Sequence, residues 1–135
     1  RRFELPFYQA VGEVIHGQGK WMLNHAHGPI VALRDLVLET GIDGFEALAH
    51  PPLGDMPVSD AKELHPRMVV CGGMAPYETE IDTPDARDRI FDYVRDLFAS
   101  IQPLDRFAMT NVCNTSISTP WENLVHFGDA CRELS

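Results

Sequence analysis

The sequence predicts an α/β fold, a single partial domain over residues 1–135 that amounts to half of a TIM (β/α)8 barrel. Short apolar runs alternate with amphipathic helical stretches, the first three runs stop at loops rich in Gly, Pro or His and the fourth at a polar loop, and the alternation repeats after one leading helix. Strands alternating with helices imply parallel strands joined by right-handed crossovers. Such units in about 115 residues make half of a barrel that typically takes about 250. An isolated half leaves two parallel edges unpaired and one barrel mouth open, so a second half is expected elsewhere in the polypeptide or from another chain. The open doubly wound sheet is the alternative, and its nucleotide-binding version loses support because no Gly-x-Gly-x-x-Gly follows a strand.

Leu5 to Ile15 carries Phe7, Ala10, Val11, Val14 and Ile15 at helical spacing, and Gly17-Gln18-Gly19 ends that helix. Lys20 to Asn24 reads as a buried strand feeding the loop His25-Ala26-His27-Gly28-Pro29. A helix follows from Ile30 to Glu39, then a strand at Gly44–Leu48 and the breaker-rich loop His50-Pro51-Pro52-Leu53-Gly54-Asp55. Ser59 is placed to cap a short helix through Leu64. Arg67 to Cys71 is the third strand, stopping at Gly72-Gly73. Thr83-Pro84 signals the start of a long helix whose stripe is Ile90, Val94, Leu97, Phe98 and Ile101, ended by Pro103. Arg106 to Asn111 is the fourth strand, followed by a polar loop over 113–118. Thr119-Pro120-Trp121-Glu122 then reads as a capping box opening a helix through Leu134.

With 44% hydrophobic and 23% charged positions, the chain has the composition of an ordinary globular domain. A formal net charge of −9 repels phosphate backbones and anionic lipid headgroups, so neither nucleic acid nor a membrane is an expected partner. No apolar run approaches the roughly 20 residues needed to span a bilayer, and Arg1-Arg2-Phe3-Glu4 lacks the apolar core of a signal peptide. A cytoplasmic setting is expected. Cys71, Cys113 and Cys131 are widely spaced and odd in number, which suits reduced thiols. The absence of an initiator Met suggests a piece of a longer polypeptide.

Barrel active sites are built at the C-terminal ends of strands. His25 and His27 lie just past the first strand, Glu46 within the second, Cys71 at the end of the third and Cys113 just past the fourth. Two imidazoles at i and i+2 with a thiolate are usual zinc donors, and Glu46 could complete the shell; the competing reading is a hydrogen-bonded loop pair beside small buried cysteines. Catalytic candidates are Glu46, Asp55 and His50. His50 follows the second strand on this face, whereas Pro51 to Asp55 is favoured as a rigid turn. Gly72 and Gly73 allow either close approach to a ligand or a sharp strand exit. Asn111, Asn114 and Ser116 are loop polars with cofactor- or substrate-binding and turn roles both open. Cys131 and His126 read as packing and surface residues, His16 as a helix end, His65 as a loop residue.

Trp21-Met22-Leu23-Asn24-His25-Ala26-His27-Gly28, Val70-Cys71-Gly72-Gly73-Met74-Ala75-Pro76, and Cys113 followed by Thr119-Pro120-Trp121-Glu122-Asn123 together resemble the C-terminal half of the uroporphyrinogen decarboxylase-like superfamily. The resemblance covers nearly the whole chain. True decarboxylases carry Gly-His-Gly at the last loop, where this chain has Val112-Cys113-Asn114. The zinc-dependent corrinoid methyltransferases place a Cys there and pair it with His-x-Cys after an earlier strand, a pattern similar to His25-Ala26-His27 with Cys113. In the more distant cobalamin-independent methionine synthases a Glu on the intervening strand also binds zinc, and Glu46 holds a comparable place.

The resemblance implies a zinc-dependent methyltransferase. Its metal ligands would be His25, His27, Cys113 and Glu46, and it would use a corrinoid as co-substrate, on a corrinoid protein or free. His27 in place of a thiolate makes the metal less electron-rich, which suits folate or methoxylated substrates beside thiols. The implied alternatives are a tetrapyrrole decarboxylase needing no metal and a non-catalytic corrinoid- or porphyrin-binding module.

Overall fold

Helix α1, Glu4–Gly17, forms where the apolar spacing places it, but it turns a different face to the protein. The structure, a computed structural model of the chain, describes residues 2–64 and 66–135, so His65 lies outside the described residues. Phe7 and Val14 stand 65% and 69% exposed, while Gly12 is buried. A β-carbon on Gly12 would sit in ordinary contact with the Met22 Cε, at 3.5 Å, so the side of α1 that meets the rest of the chain is Gly12 with the half-buried Tyr8, Val11 and Ile15.

Strand β1, Leu23–His25, is followed by a 3-10 turn at Val31–Leu33 that runs into α2, Arg34–Glu39. Strand β2 is Gly44–Leu48, and α3 spans Val58–Glu63. Strand β3 is Val69–Met74, α4 Pro76–Thr79 and α5 Ala86–Ser100; β4, Phe107–Asn111, and α6, Trp121–Leu134, complete the order. The strands form one four-stranded sheet in the order β1-β2-β3-β4, every pair parallel.

Residues level with one another across parallel strands point to the same side. Phe45 and Val70 share one row, both fully buried, and meet Val37 of α2, Ala61 of α3, Ile90 and Val94 of α5 and Ala130 of α6 in a single core. His25, Glu46, Cys71 and Ala108 form the adjacent row and are exposed or half-buried. The helical layer therefore covers one face, and the chemistry-bearing row lies on the other.

Several element boundaries differ from the sequence reading, beginning with β1, which is Leu23–His25 rather than Lys20–Asn24 and has its two end residues exposed. Strand β3 runs through Gly72-Gly73 rather than stopping there, because the absent side chains let it sit against its neighbours. A β-carbon on Gly72 would lie 2.7 Å from the Leu48 carbonyl oxygen, and one on Gly73 2.7 Å from Leu97 Cδ2. Ser59 lies inside α3, whose N-cap is Pro57, and its hydroxyl donates to Asp60. The capping box also fails: Pro120 takes the N-cap position of α6, no side chain caps the helix, and the Thr119 hydroxyl is buried without a partner. Helix α5 starts at Ala86, two residues past Pro84.

Buried polar side chains tie the connections down. Asn123, 3% exposed, donates from Nδ2 to the carbonyls of Thr79 (2.8 Å) and Ile81 (2.7 Å), fixing the segment after α4 to α6. Lys62 of α3 donates from Nζ to the carbonyls of Ile101 (2.8 Å) and Pro103. Asn123→Ala leaves two carbonyls without their donor, and the expected loss is about 2 kcal/mol, read as a lower urea midpoint at unchanged slope.

Asp43 joins the start of β2 to α1. Its carboxylate accepts from the Met22 amide (2.7 Å) and faces His16 Nε2 at 2.9 Å. Burial pushes the Asp43 carboxyl up, but the Met22 amide, the His16 contact and the nearby Arg67 together hold it below the ordinary value of 3.8. A carboxyl lowered on folding stabilises above its unfolded pKa, and that stability disappears as pH falls through the folded value. Asp43→Asn is therefore expected to flatten the loss of thermal stability below pH 4 while lowering the melting temperature at pH 7. Among the described residues, no helix is long and apolar enough to cross a membrane.

Candidate functional site

His25 ends β1, His27 lies two residues beyond it with its ring beside that of His25, and parallel register sets His25 level with Glu46. His25 Nδ1 meets the Glu46 carboxylate, and His25 Nε2 lies 2.6 Å from His27 Nε2, the rings 4.5 Å apart at 61°. Cys71 is the next residue along this row, level with Glu46; burial, then the Glu46 charge, pushes its thiol above the ordinary range. Cys71 is thus protonated at neutral pH. Just beyond Glu46 the register slips at Ala47, which is buried with φ of 68°, a left-handed conformation rare outside glycine. This bulge shifts the end of β2 relative to β3 beside the site.

The loops after β1 and β2 are joined. Gly28 bridges to Gly54, and the Asp55 carboxylate accepts from the amides of Ile30 (2.6 Å) and Val31 (3.1 Å) at the start of the 3-10 turn. Asp55 is therefore a capping residue, in line with the favoured turn.

His50 is in a hydrogen-bonded chain that the sequence does not announce. Its Nε2 lies 2.8 Å from the Tyr77 hydroxyl and its Nδ1 3.3 Å from the Tyr93 hydroxyl, which donates to the Gly73 carbonyl. Burial, followed by Glu78 and Tyr77, drives the Tyr93 phenol well above the ordinary range. Tyr77 and Tyr93 escape sequence reasoning because one lies within a Pro-led helix of four residues and the other falls within the apolar spacing of α5. Tyr77 beside a strand-end proline was the only available signal.

At the end of β4, Val112 N donates to the Met74 carbonyl at 2.9 Å, and Cys113 follows as an exposed free thiol. Asn111 donates from Nδ2 to the Thr115 hydroxyl (2.8 Å), while its Oδ1, like the Thr110 hydroxyl, is buried without a partner. These orphaned atoms are the polar groups in this region most in need of a ligand. Asn114 is exposed, and the Ser116 hydroxyl pairs with that of Ser118 at 2.7 Å. Gly72 and Gly73 approach Leu48 and Leu97, so packing within the fold accounts for both.

Among the described residues, no three His, Cys, Asp or Glu side chains are gathered so as to hold a metal ion; Cys113 does not join His25 and His27. A cavity of about 530 Å³ opens at the opposite end of the strands, lined by His16, Trp21, Asp43, Arg67 and Met68. Ligands in parallel α/β folds bind at C-terminal strand ends, so the reactive row has the stronger claim. No family profile and no curated protein matches the chain.

Proposed function

We propose that the chain is the C-terminal half of a TIM barrel of the uroporphyrinogen decarboxylase-like superfamily and acts as a zinc-dependent methyltransferase. The barrel reading is supported by the strand order, which has no reversal, and by helices on one face only. A doubly wound sheet needs both a reversal and a second helical layer. The complementary half would cover the exposed row and the open edges. A stable, monomeric, fully folded chain in sedimentation would count against it.

One observation carries the zinc reading. Glu46 accepts from His25 Nδ1, which leaves a lone pair on His25 Nε2, and that atom faces His27 Nε2 at 2.6 Å. Two nitrogen lone pairs at this separation repel unless a proton or a cation lies between them. His25 and His27 would hold zinc through these nitrogens, and Cys113 would have to swing in as a third donor. Glu46 then serves behind the metal, orienting His25 and raising its basicity. Bound zinc supplies Lewis acidity toward the oxygen or sulfur of a methyl donor or acceptor. The chain's own residues set the imidazole tautomer and leave the row open to a corrinoid co-substrate.

A metal-free decarboxylase of a tetrapyrrole is the second reading. It is favoured by the separation of Cys113 from the histidines, a proton then filling the gap between the two rings. Metal analysis of the purified protein after zinc reconstitution decides: zinc retained near one per chain supports the first reading, and none retained removes it. A binding-only module would hold corrinoid without turnover.

A further inference from the structure

We propose that Tyr77 and His50 form an acid–base pair, a second reactive centre at the ends of β2 and β3, serving a small ligand with a weakly acidic hydroxyl or thiol. The argument begins at the buried end of the chain. The Gly73 carbonyl can only accept, so the Tyr93 proton points to it. The Tyr93 oxygen then accepts from His50 Nδ1–H at 3.3 Å. That fixes the tautomer and leaves a lone pair on His50 Nε2, which receives the Tyr77 proton at 2.8 Å. Each donor meets an acceptor, and the direction runs outward from β3 to a side chain 37% exposed.

The polarity of this chain makes Tyr77 the ligand-facing group and His50 the base behind it. When a ligand hydroxyl or thiol gives its proton to the Tyr77 oxygen, the original phenol proton passes to His50 Nε2. The ligand becomes an anion and His50 an imidazolium, with Tyr77 neutral before and after. Burial and then the Glu78 carboxylate push the Tyr77 phenol above its ordinary range, which fits a concerted transfer with no free phenolate. Tyr93 is a positioning residue, and the Pro51 carbonyl, 3.4 Å from the Tyr77 hydroxyl, is the other acceptor nearby. The pair stands whether or not zinc binds at His25 and His27.

The same base assistance makes Tyr77 a nucleophile toward benzenesulfonyl fluoride. The Tyr77 oxygen–sulfur bond forms, fluoride leaves, and the phenol proton goes to His50. Peptide mass spectrometry of the labelled protein is expected to show Tyr77 modified at least about tenfold faster than in His50→Ala, with Tyr93→Phe between them. Equal rates in the wild type and in a folded His50→Ala would overturn the proposal. Should His50→Ala fail to fold, long-range proton–nitrogen NMR of the wild-type ring takes its place: the Nδ1–H tautomer supports the pair, and the Nε2–H tautomer refutes it.

Discussion

Gly72→Ala will destabilise the protein by about 3–5 kcal/mol, the range in which single changes signal a named steric conflict. The added carbon meets backbone, with the Leu48 carbonyl oxygen at 2.7 Å and its nitrogen at 3.0 Å, and the local φ is +152°. A flexible side chain could move aside; a neighbouring strand of the same sheet cannot without breaking the β2–β3 ladder. Gly41→Ala separates strain from clash. Gly41 has φ of +77° with nothing within 4 Å of the added carbon, so only the left-handed penalty of about 1 kcal/mol is expected. Urea denaturation of both variants measures the contrast, and similar midpoints would show that β3 is free to shift.

His27→Ala is expected to remove zinc binding altogether, and Glu46→Gln to weaken it by about 10–100-fold, the usual effect of losing a partner behind a metal-bound imidazole. The difference follows from geometry: His27 faces His25 across the ring nitrogen that a metal would share, whereas Glu46 holds the other nitrogen. Competition with a chromogenic chelator reads both affinities. Equal loss in the two variants would place Glu46 on the metal instead.

The residues differ in how openly the sequence speaks for them. Strand β2 lies at Gly44–Leu48 as read, because a run this short between a Gly and the His50-Pro51-Pro52 breakers favours a strand over a buried helix. The Gly72-Gly73 pair misled because glycine usually ends a strand, while here it permits one strand to crowd another. Thr119 looked like a cap, yet Pro120 at the N-cap position leaves its hydroxyl buried alone. The nearness of His25, His27 and Glu46 was legible from an i, i+2 pair at the end of one strand and an acid within the next. Asp55 was ambiguous, since an acid in a turn and an acid capping the next element read alike. The His50–Tyr77–Tyr93 chain was not legible, because it joins a loop and two helices whose spacing in sequence carries no periodic signal.

The central claim is that the ends of these parallel strands hold zinc through His25 and His27, with Cys113 closing the shell. X-ray absorption at the zinc edge of the reconstituted protein tests it most directly. The account predicts two imidazole nitrogens at about 2.0–2.1 Å and one sulfur at about 2.3 Å, the sulfur absent in Cys113→Ser. A shell of oxygens alone, or no zinc left after dialysis, would contradict it.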